Sequence, residues 1–341
     1  MKIALDAAAG DIGLAPNIEG AIAAADSWGV EVILVGPVHE VASALESSGV
    51  PAGDKRFEIV DSRELVTMGE DPSTACRNKP HASILVCAEL VASGKAAAMV
   101  SAGNSGAAMV ASLWHLKRMP DVLRPAIAVP VPTGRGTSVL IDGGANTECK
   151  PWHLLQFGMM GTVYARHVLG VSEPTVGILS NGEEDSKGDD LVREAVPLLK
   201  SSGLRFYGPI EGRDITAGTV DVVVCDGFTG NIVVKVIEGT AATILSLLKG
   251  SITGSLHKLG ALLLKGAFSA LKKKMSYDEY GGAPLLGVNG IVVICHGKSN
   301  AKAISNALRA AKSLVEGGAL SQITQSLEEM KKSLEPDQIK A

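Results

Sequence analysis

Four stretches of the sequence place glycines and small polar residues directly after an apolar run. They are Ser101–Gly106, Asp142–Asn146, Asp226–Asn231 and His296–Asn300. In each, a strand-like run leads into a glycine turn and then into a residue suited to cap a helix. A helix N-terminus presents free N–H groups and the positive end of the helix dipole, which favour an anion. Four such turns in one chain indicate a site for an anionic ligand such as phosphate.

Side chains in and beside these turns limit the chemistry that the site could perform. His296 is the only group in the four turns that could donate a proton near neutral pH. Lys187, Arg213 or Lys298 could complement the charge of a phosphate. Each residue also has a structural interpretation: Asp142 and Asp226 could only cap turns, His296 could simply end a strand, and each of the three cations could be a surface charge.

Apolar runs of strand length alternate with helix-like stretches along most of the chain. Such runs between helices are typical of buried strands in a mostly parallel sheet with both faces covered. The predicted strands are Ile3–Asp6, Val30–Gly36, Ala97–Ala102, Ala126–Val131, Thr137–Asp142, Thr175–Leu179, Val220–Asp226 and Ile291–Cys295. The predicted helices are Ala15–Ser27, Ala82–Ser93, Ala107–Lys117, His153–Val168, Asp190–Ser201, Ile232–Lys249, Ala301–Glu316 and Leu320–Leu334.

The connection Pro132-Thr133-Gly134-Arg135-Gly136 predicts a hairpin between the fourth and fifth of these strands, so part of the sheet should be antiparallel. The sequence shows no low-complexity linker and no fixed-period repeat. We therefore predict a single α/β catalytic domain over residues 1–341, with a helical amphipathic segment at about 250–278.

Composition excludes several classes of protein. The net charge of −4 argues against nucleic acid as a partner. The five cysteines are scattered without a Cys-x-x-Cys pair, the chain starts directly with a strand, and no uncharged apolar run reaches about 18 residues, so we expect a reduced, cytoplasmic protein. No phosphate-binding GxxxxGK[ST] loop, no GxGxxG after the first strand and no metal-ligand spacing occur, so no cofactor or metal is predicted.

Read in order, the motifs resemble the phosphate acyltransferase family of bacterial phospholipid synthesis, the acyl-carrier-protein:phosphate acyltransferases. The resemblance runs essentially end to end. It is carried by Lys2–Ala7, Gly10-Asp11, Ser101–Ala107, Asp142–Asn146, Lys150-Pro151, Gly182–Glu184, Lys187-Gly188, Glu211–Ile215, Asp221–Asn231, Tyr280–Gly287 and His296–Ala301. Each motif alone is modest evidence for the family, but the complete set in this order is highly specific.

The sequence departs from the family pattern at a few positions. The family usually has Met-Gly-Gly-Asp where this chain has Ala8-Ala9-Gly10-Asp11, which removes one glycine from a turn. Ser105 stands where threonine is commoner, and Ser180 stands where asparagine is usual. These departures affect details of the first and third loops.

The resemblance implies a three-layer α/β/α fold like that of isocitrate and isopropylmalate dehydrogenases, and a homodimer. It implies transfer of a fatty acyl group from acyl carrier protein to phosphate, with the acyl phosphate passing to a membrane glycerol-3-phosphate acyltransferase. On the matching motifs, the expected catalytic residues are Asn231, Asp226, His296 and Lys187. The residues expected to bind phosphate or the acyl group are Ser101, Gly103, Asn104, Ser105, Gly106, Asp142, Gly143, Asn146, Gly182, Arg213, Gly227, Gly230, Gly297, Ser299 and Asn300.

Such a reaction needs no catalytic triad, because phosphate is already an anionic nucleophile and a thioester already has a good leaving group. The site must bind phosphate, aim it at the carbonyl carbon and stabilise the oxyanion. It could also protonate the departing thiolate. We expect no covalent acyl–enzyme intermediate, and we assign Cys225 and Cys295 to the core.

Residues 256–275 carry five lysines and no acidic residue. Lys258, Lys265 and Lys272 would form one stripe on a helix, and the apolar residues around the rest include Leu256, Leu259, Leu263 and Phe268. The segment could lie on an anionic membrane surface. It could equally pack against a dimer partner or the core with its lysines snorkelling to water. From the function, we expect peripheral association with the inner face of the cell membrane.

Three alternatives remain open at this point. A phosphotransacetylase acting on short acyl-CoA would share the fold and the chemistry. A nicotinamide-dependent dehydrogenase of the same fold should carry metal-binding aspartates and substrate-binding arginines, which the sequence does not show. A non-catalytic membrane scaffold is disfavoured by the density of glycine turns.

Overall fold

The computed structural model describes residues 1–254, 260, 262–266, 268, 277–279 and 281–333, and within them eleven strands form one sheet. The strands are β1 Lys2–Asp6, β2 Glu31–Gly36, β3 Phe57–Asp61, β4 Ala98–Ser101, β5 Ala126–Thr133, β6 Gly136–Ile141, β7 Val176–Leu179, β8 Phe206–Ile210, β9 Val222–Val224, β10 Ala283–Leu286 and β11 Ile291–Ile294. The helices are α1 Leu14–Trp28, α2 Val38–Ser47, α3 Pro72–Asn78, α4 Ser83–Ala92, α5 Ser105–Ala111, α6 Pro151–His167, α7 Asp190–Ser201, α8 Gly212–Ala217, α9 Gly227–Ser251, α10 Ala301–Glu316 and α11 Ala319–Ser333. A π-helical turn, Ser112–Leu116, extends α5, and a 3₁₀ turn spans Tyr277–Glu279.

The strand order is β3-β2-β1-β4-β11-β10-β5-β6-β9-β7-β8. The strands from β3 to β11 are parallel to one another, and so are those from β6 to β8. Between the two sets, the pairs β11–β10, β10–β5 and β5–β6 are antiparallel. Three successive reversals make the two parallel sets run in opposite directions.

The predicted fold class is confirmed: the sheet is large, mostly parallel and partly antiparallel. All eight predicted strands are present, and the predicted hairpin is the β5–β6 pair. The sequence analysis missed β3, β8 and β10 and the helices α2, α3 and α8. Two of the missed strands, β8 and β10, contain a proline, a residue that usually argues against a strand.

Helices cover both faces of the sheet, as β1 shows by alternation. Ile3 and Leu5 belong to the buried cluster that includes residues of α1, α6 and α10, whereas Ala4 belongs to the cluster that includes residues of α4 and α5. Since successive residues of a strand face opposite sides, a strand buried on both faces is nearly continuous in hydrophobicity. This explains why the strands next to the turns could be recognised in the sequence.

Helix α9 differs from the other long helices because almost none of it is buried. Gly227 and Gly230 in its first turn are buried, and the remaining residues are exposed or half-buried. Of the described helices, α9 is the one long and apolar enough to cross a membrane by length and composition, with a mean hydropathy of 1.5 over 18 residues. The sequence-based exclusion rested on uncharged runs and did not cover this helix, which carries Lys235 and Glu238.

Helices α1 and α10 pack so closely that a glycine is required between them. A Cβ atom on Gly20 would lie 2.6 Å from Cβ of Ile304 and 2.7 Å from the Ala301 carbonyl oxygen. The second of these contacts is with backbone and cannot be relieved by a side-chain rotation. The approach places the start of α10, and with it the turn after β11, beside α1.

We predict that Gly20→Ala lowers the free energy of unfolding by about 1–3 kcal/mol, because α1 and α10 must separate. The control is Gly239→Ala in α9, where an added Cβ meets nothing within 4 Å. That variant should gain about 0.5–1 kcal/mol from helix propensity alone. Denaturant unfolding of both proteins is the measurement, and equal midpoints for the two variants would contradict the close approach.

Candidate functional site

The reversal of strand direction divides the predicted site residues into two groups. The turns after β1, β4 and β11 lie at one edge of the sheet, which we call the first edge. The turns after β6, β7, β8 and β9 lie at the opposite edge, which we call the second edge. The sequence analysis treated all these turns as parts of one site, but within one chain the structure brings them together only in these two groups.

At the first edge, the turn after β1 is bonded to the turn after β11. The Asp11 N–H donates to the Gly297 carbonyl oxygen over 2.7 Å. Gly10 has a φ of +106°, and a Cβ there would lie 3.2 Å from the same oxygen. A Cβ on Gly297 would lie 2.7 Å from Oδ2 of Asp11, so a larger residue here would displace the Asp11 side chain. These contacts fix the two turns against each other.

Ser101 holds the turn after β4 from the interior of the protein. This residue is 2% exposed, so its hydroxyl does not reach solvent. Its Oγ donates to Oδ2 of Asp6 over 2.8 Å and accepts from the Gly103 N–H over 3.0 Å. Ser101 therefore shapes the turn, and its hydrogen bonds point into the protein.

Asn104 begins α5, as its position after the glycine turn predicted. Its Oδ1 accepts from the Ala107 N–H over 3.1 Å, and its amide donates to the Thr67 carbonyl oxygen over 3.2 Å. Ser105 beside it is exposed, and a Cβ on Gly106 would lie 2.5 Å from Cγ of Pro72. The N–H groups of the first helical turn have no intrahelical acceptor, so the capped turn presents the Ser105 and Gly106 N–H groups at this edge.

The turn after β11 has a similar construction. Asn300 begins α10: its Oδ1 accepts from the Ala303 N–H over 3.0 Å, and its amide donates to Oδ2 of Asp278 over 2.7 Å. The Lys298 N–H donates to Nδ1 of His296 over 3.1 Å. A ring nitrogen that accepts carries no proton, so the proton of a neutral His296 sits on Nε2. The His296 side chain is exposed.

Ser299 lies between these residues but is buried, with 4% of its surface exposed. Its Oγ has no hydrogen-bond partner among the described residues. Its neighbour Gly297 is also buried. Neither Ser299 nor Gly297 presents a side chain to solvent, so both residues contribute to the turn through their backbone.

At the second edge, Asp142 takes the place that a bound anion would occupy. Its carboxylate is fully buried and accepts from the N–H groups of Ile127, Gly144, Ala145 and Asn146 and from the Asn146 amide, over 2.7–3.1 Å. Burial raises the pKa of Asp142 from its ordinary value, and these hydrogen bonds oppose the shift. The N–H groups of this turn are thus used within the protein.

The turn after β9 is packed against the Asp142 turn. The Gly227 N–H donates to the Asn146 carbonyl oxygen over 2.7 Å, and a Cβ on Gly230 would lie 2.0 Å from the Asp142 carbonyl oxygen. Gly143 is equally restricted, since its Cβ would lie 2.3 Å from a Val129 methyl group. The glycines of this edge therefore serve close packing of the first turn of α9 on the Asp142 turn.

Two polar residues complete that turn. Asp226 caps α9, accepting from the Thr229 N–H over 2.9 Å and from its hydroxyl over 2.6 Å. Asn231 is exposed beside Gly144, whose added Cβ would lie 3.4 Å from Cβ of Asn231. Of the predicted residues in these two turns, Asn231 is the side chain accessible to a ligand, because Asp142, Asn146 and Asp226 are committed to the turns.

The turns after β7 and β8 contain the predicted cations. Arg213 forms ion pairs with Glu183 over 2.9 Å and with Glu211 over 2.7 Å, so its charge is balanced within the protein. The Lys187 side chain is exposed and covers Gly182, where a Cβ would lie 2.7 Å from Cγ of Lys187. Gly182 thus makes room for the lysine stem.

Reactive groups are scarce around both edges. Burial raises the pKa of the Cys225 thiol well above its usual 9.0 and that of Cys295 to about 12, so both thiols remain protonated. Among the described residues, no group of three His, Cys, Asp or Glu side chains could hold a metal ion. The assignment of both cysteines to the core is confirmed by their burial.

Two first-edge residues were missed by the sequence analysis. Asp6 ends β1, but three alanines separate it from Gly10, so the pattern of a strand followed directly by glycine that identified the other turns is missing there. Asn17 of α1 is 2% exposed, and its amide donates to the carbonyl oxygens of Ala7 and Ala9 over 2.9 and 2.8 Å. No sequence signal marks Asn17, because its partners belong to a turn whose position is set by the tertiary fold.

The predicted membrane segment is described in part. Leu256, Lys258, Leu259 and Lys272 lie outside the described residues. Leu263 is 79% exposed, Lys265 is exposed and Phe268 is half-buried. Leu262 and Leu264 are 65% and 54% exposed, so three consecutive leucines face outward.

The chain is similar to known proteins in family, in sequence and in structure. The sequence model of a family described as fatty acid synthesis protein matches residues 1–322. A phosphate acyltransferase of Elusimicrobium minutum is 48% identical over 336 residues, which cover 98% of each chain. A phosphate acyltransferase of Geobacter sulfurreducens is 48% identical over 329 residues, which cover 96% of this chain and 94% of the relative.

Solved structures show the same fold at low sequence identity. A phosphotransacetylase from Staphylococcus aureus aligns with a TM-score of 0.59 at 17% identity, over 92% of this chain and 94% of that one. A 4-hydroxythreonine-4-phosphate dehydrogenase from Klebsiella pneumoniae aligns with a TM-score of 0.54 at 14% identity, over 92% and 97%. The end-to-end sequence matches decide the family: the chain belongs to the fatty acid synthesis proteins represented by these phosphate acyltransferases, and it is an acyltransferase enzyme.

Proposed function

We propose that this enzyme transfers a fatty acyl group from the thioester of acyl carrier protein to inorganic phosphate, giving acyl phosphate and free carrier protein. The observation that supports it most is full-length similarity to proteins named phosphate acyltransferase. The proposed product is the substrate of a membrane glycerol-3-phosphate acyltransferase, which we propose as the downstream partner.

The first edge is the better place for this reaction. Two capped helices, α5 and α10, begin there beside the exposed side chains of Ser105 and His296. At the second edge, Asp142 already accepts the N–H groups of its turn, and Asp226 adds a further carboxylate. A carboxylate in an N–H nest excludes a phosphate from the same donors. Lys298, exposed at the first edge, adds a positive charge.

The proposed step is direct attack by phosphate. A phosphate oxygen forms a bond to the thioester carbonyl carbon, the carbon–sulfur bond breaks, and the carrier leaves as a thiolate. Because Nδ1 of His296 accepts from the Lys298 N–H, its Nε2–H is the group that donates a hydrogen bond to the developing oxyanion or to phosphate. The thiolate takes its proton from water, because the pKa of an ordinary thiol is about 8.5. The buried, protonated thiols offer no alternative nucleophile.

We also propose a homodimer in which α9 is part of the interface. This helix starts at the second edge and exposes Phe228, Ile232 and Val236, which are 59%, 46% and 60% exposed. Spacing by four residues places them on one face. A second copy that covered this face could bring Asn231, which lies at its start, to the first edge of its partner.

The segment after α9 supports a membrane location. Leu262, Leu263 and Leu264 are exposed together, Lys265 follows them, and residues 256–275 carry no acidic side chain. Apolar side chains that enter the headgroup boundary beside lysines are typical of peripheral binding to anionic lipid. We propose that the enzyme is cytoplasmic and binds the inner face of the cell membrane reversibly, where a poorly soluble acyl phosphate is consumed.

The reaction predicts release of free carrier protein from palmitoyl-acyl carrier protein only when phosphate is present, together with a product trapped by hydroxylamine as a hydroxamate. Acetyl-CoA is the parallel substrate for the alternative, a phosphotransacetylase acting on short acyl-CoA. Faster turnover of acetyl-CoA than of the long-chain donor would favour that alternative. Carrier release that did not depend on phosphate would contradict both.

The shared-site arrangement predicts complementation between two inactive variants. Asn231→Ala and His296→Ala should each lower kcat about 10²-fold. The mixture of dimers formed by co-expressing the two should recover about one quarter of the wild-type rate, because about half of the dimers are hybrids and one of the two sites in each hybrid keeps both residues. Full activity of Asn231→Ala alone would remove this residue from the site. Two inactive variants whose mixture stays inactive would contradict sharing between copies.

Membrane binding predicts co-sedimentation with phosphatidylglycerol vesicles that weakens as salt is raised. Leu263→Glu should reduce it about tenfold, since a carboxylate replaces an apolar contact and meets anionic lipid. Tyr207→Glu on β8 is the matched control, because Tyr207 is 60% exposed on another part of the molecule. Equal loss from both variants, or binding unchanged in Leu263→Glu, would contradict the proposed surface.

A further inference from the structure

A buried carboxylate lies directly beneath the turn after β4. Asp6, at the end of β1, is 1% exposed and pairs in register with Ser101. Its Oδ2 accepts from the Ser101 hydroxyl, whereas its Oδ1 has no hydrogen-bond partner among the described residues. The buried Oγ of Ser83 likewise has no hydrogen-bond partner among the residues that the structure describes.

A charge in this position opposes folding, because the carboxylate loses its hydration. Burial raises the pKa of Asp6 from 3.8 to about 6, nearby hydroxyl groups, including that of Ser101, oppose the shift, and no cation contributes. Burial raises the pKa of the Cys87 thiol in α4, and Asp6 lies close enough for its charge to raise that pKa further, so this thiol stays protonated. An asparagine has the same shape without the charge, so packing does not explain why an acid stands here.

The negative charge of Asp6 does affect the turn after β4. A hydroxyl carries one proton, and an ionised Asp6 can only accept it, so the Ser101 lone pairs face the Gly103 N–H. A neutral partner could donate to Ser101 instead, and the Ser101 proton would then compete with the Gly103 N–H. Gly103 is followed directly by Asn104, the cap of α5.

We propose that Asp6 is a positioning residue of the first edge: its ionised carboxylate fixes the direction of the Asp6–Ser101–Gly103 chain and so holds the start of α5 in the form that binds the anionic substrate. This inference rests on the proposed function, since it takes the first edge as the place of phosphate binding. Asp6 does not touch the substrate, and it acts through Ser101.

The first test compares stability with function in Asp6→Asn. The unfolded chain loses the Asp6 proton near 3.8 and the folded chain near 6, so wild-type stability falls as pH rises across that window. Asp6→Asn should therefore melt about 2–5 °C above the wild type at pH near 7.5, and the gain should vanish near pH 4. At the same pH, its kcat should fall about 10–100-fold while KM for the acyl donor changes less than about threefold.

The second test asks whether Asp6 acts through Ser101. Ser101→Ala should show a similar loss of kcat, and the double variant should be no slower than either single one, because both break the same chain. Asp61→Asn, at the exposed end of β3, two strands away from β1, is the control and should keep the wild-type rate. Should Asp6→Asn fail to fold, Ser101→Ala alone carries the test.

Phosphate binding provides a readout that does not depend on turnover. Inorganic phosphate should raise the melting temperature of the wild type and have little effect on Asp6→Asn. A stabilised Asp6→Asn protein with wild-type kcat and an undiminished phosphate effect would overturn the inference. Additive losses in the double variant would overturn the route through Ser101. An inactive wild type that still responds to phosphate would contradict the proposed function while leaving the Asp6 comparison decisive.

Discussion

The direction of the central strands determines where chemistry can occur in this molecule. Because β10, β5 and β6 each run antiparallel to the strand before them, the parallel sets on either side point in opposite directions. Carboxyl ends of parallel strands gather turns and helix N-termini at one edge. Here the same rule applies twice, at opposite edges, and every glycine turn of the sequence belongs to one edge or the other.

What distinguishes the two edges is whether their backbone N–H groups are already used. At the second edge, the Asp142 carboxylate accepts four backbone N–H groups, and a buried anion held in this way makes a rigid turn with nothing left for a ligand. At the first edge, Asn104 and Asn300 each accept one N–H, and both are neutral. A neutral cap preserves the positive end of the helix dipole, whereas a carboxylate cancels much of it.

The local parts of this arrangement were predictable from the sequence and the global part was not. Asn104, Asp226 and Asn300 could be recognised as caps, because capping depends on a few neighbouring residues, and all three cap in the structure. Strand direction depends instead on which distant strands pair. The strand that causes the first two reversals, β10, is four residues long and contains Pro284, so it gave no strand signal. Without it, the turns could not be assigned to separate edges.

The proposed phosphate site at the first edge has few fixed cations, and this has a consequence for catalysis. Of the described residues in its turns, Lys298 carries a positive charge, and the neutral caps Asn104 and Asn300 leave the helix dipoles and backbone N–H groups to provide most of the remaining attraction. Such a site holds phosphate less tightly than a cluster of arginines would. A nucleophile held too tightly is stabilised in its ground state, which raises the barrier to attack on the thioester carbonyl. Donors aimed at the charge that develops on the oxyanion act only as the reaction proceeds. A cation-poor edge built from helix starts therefore suits a reaction whose nucleophile is already charged and abundant.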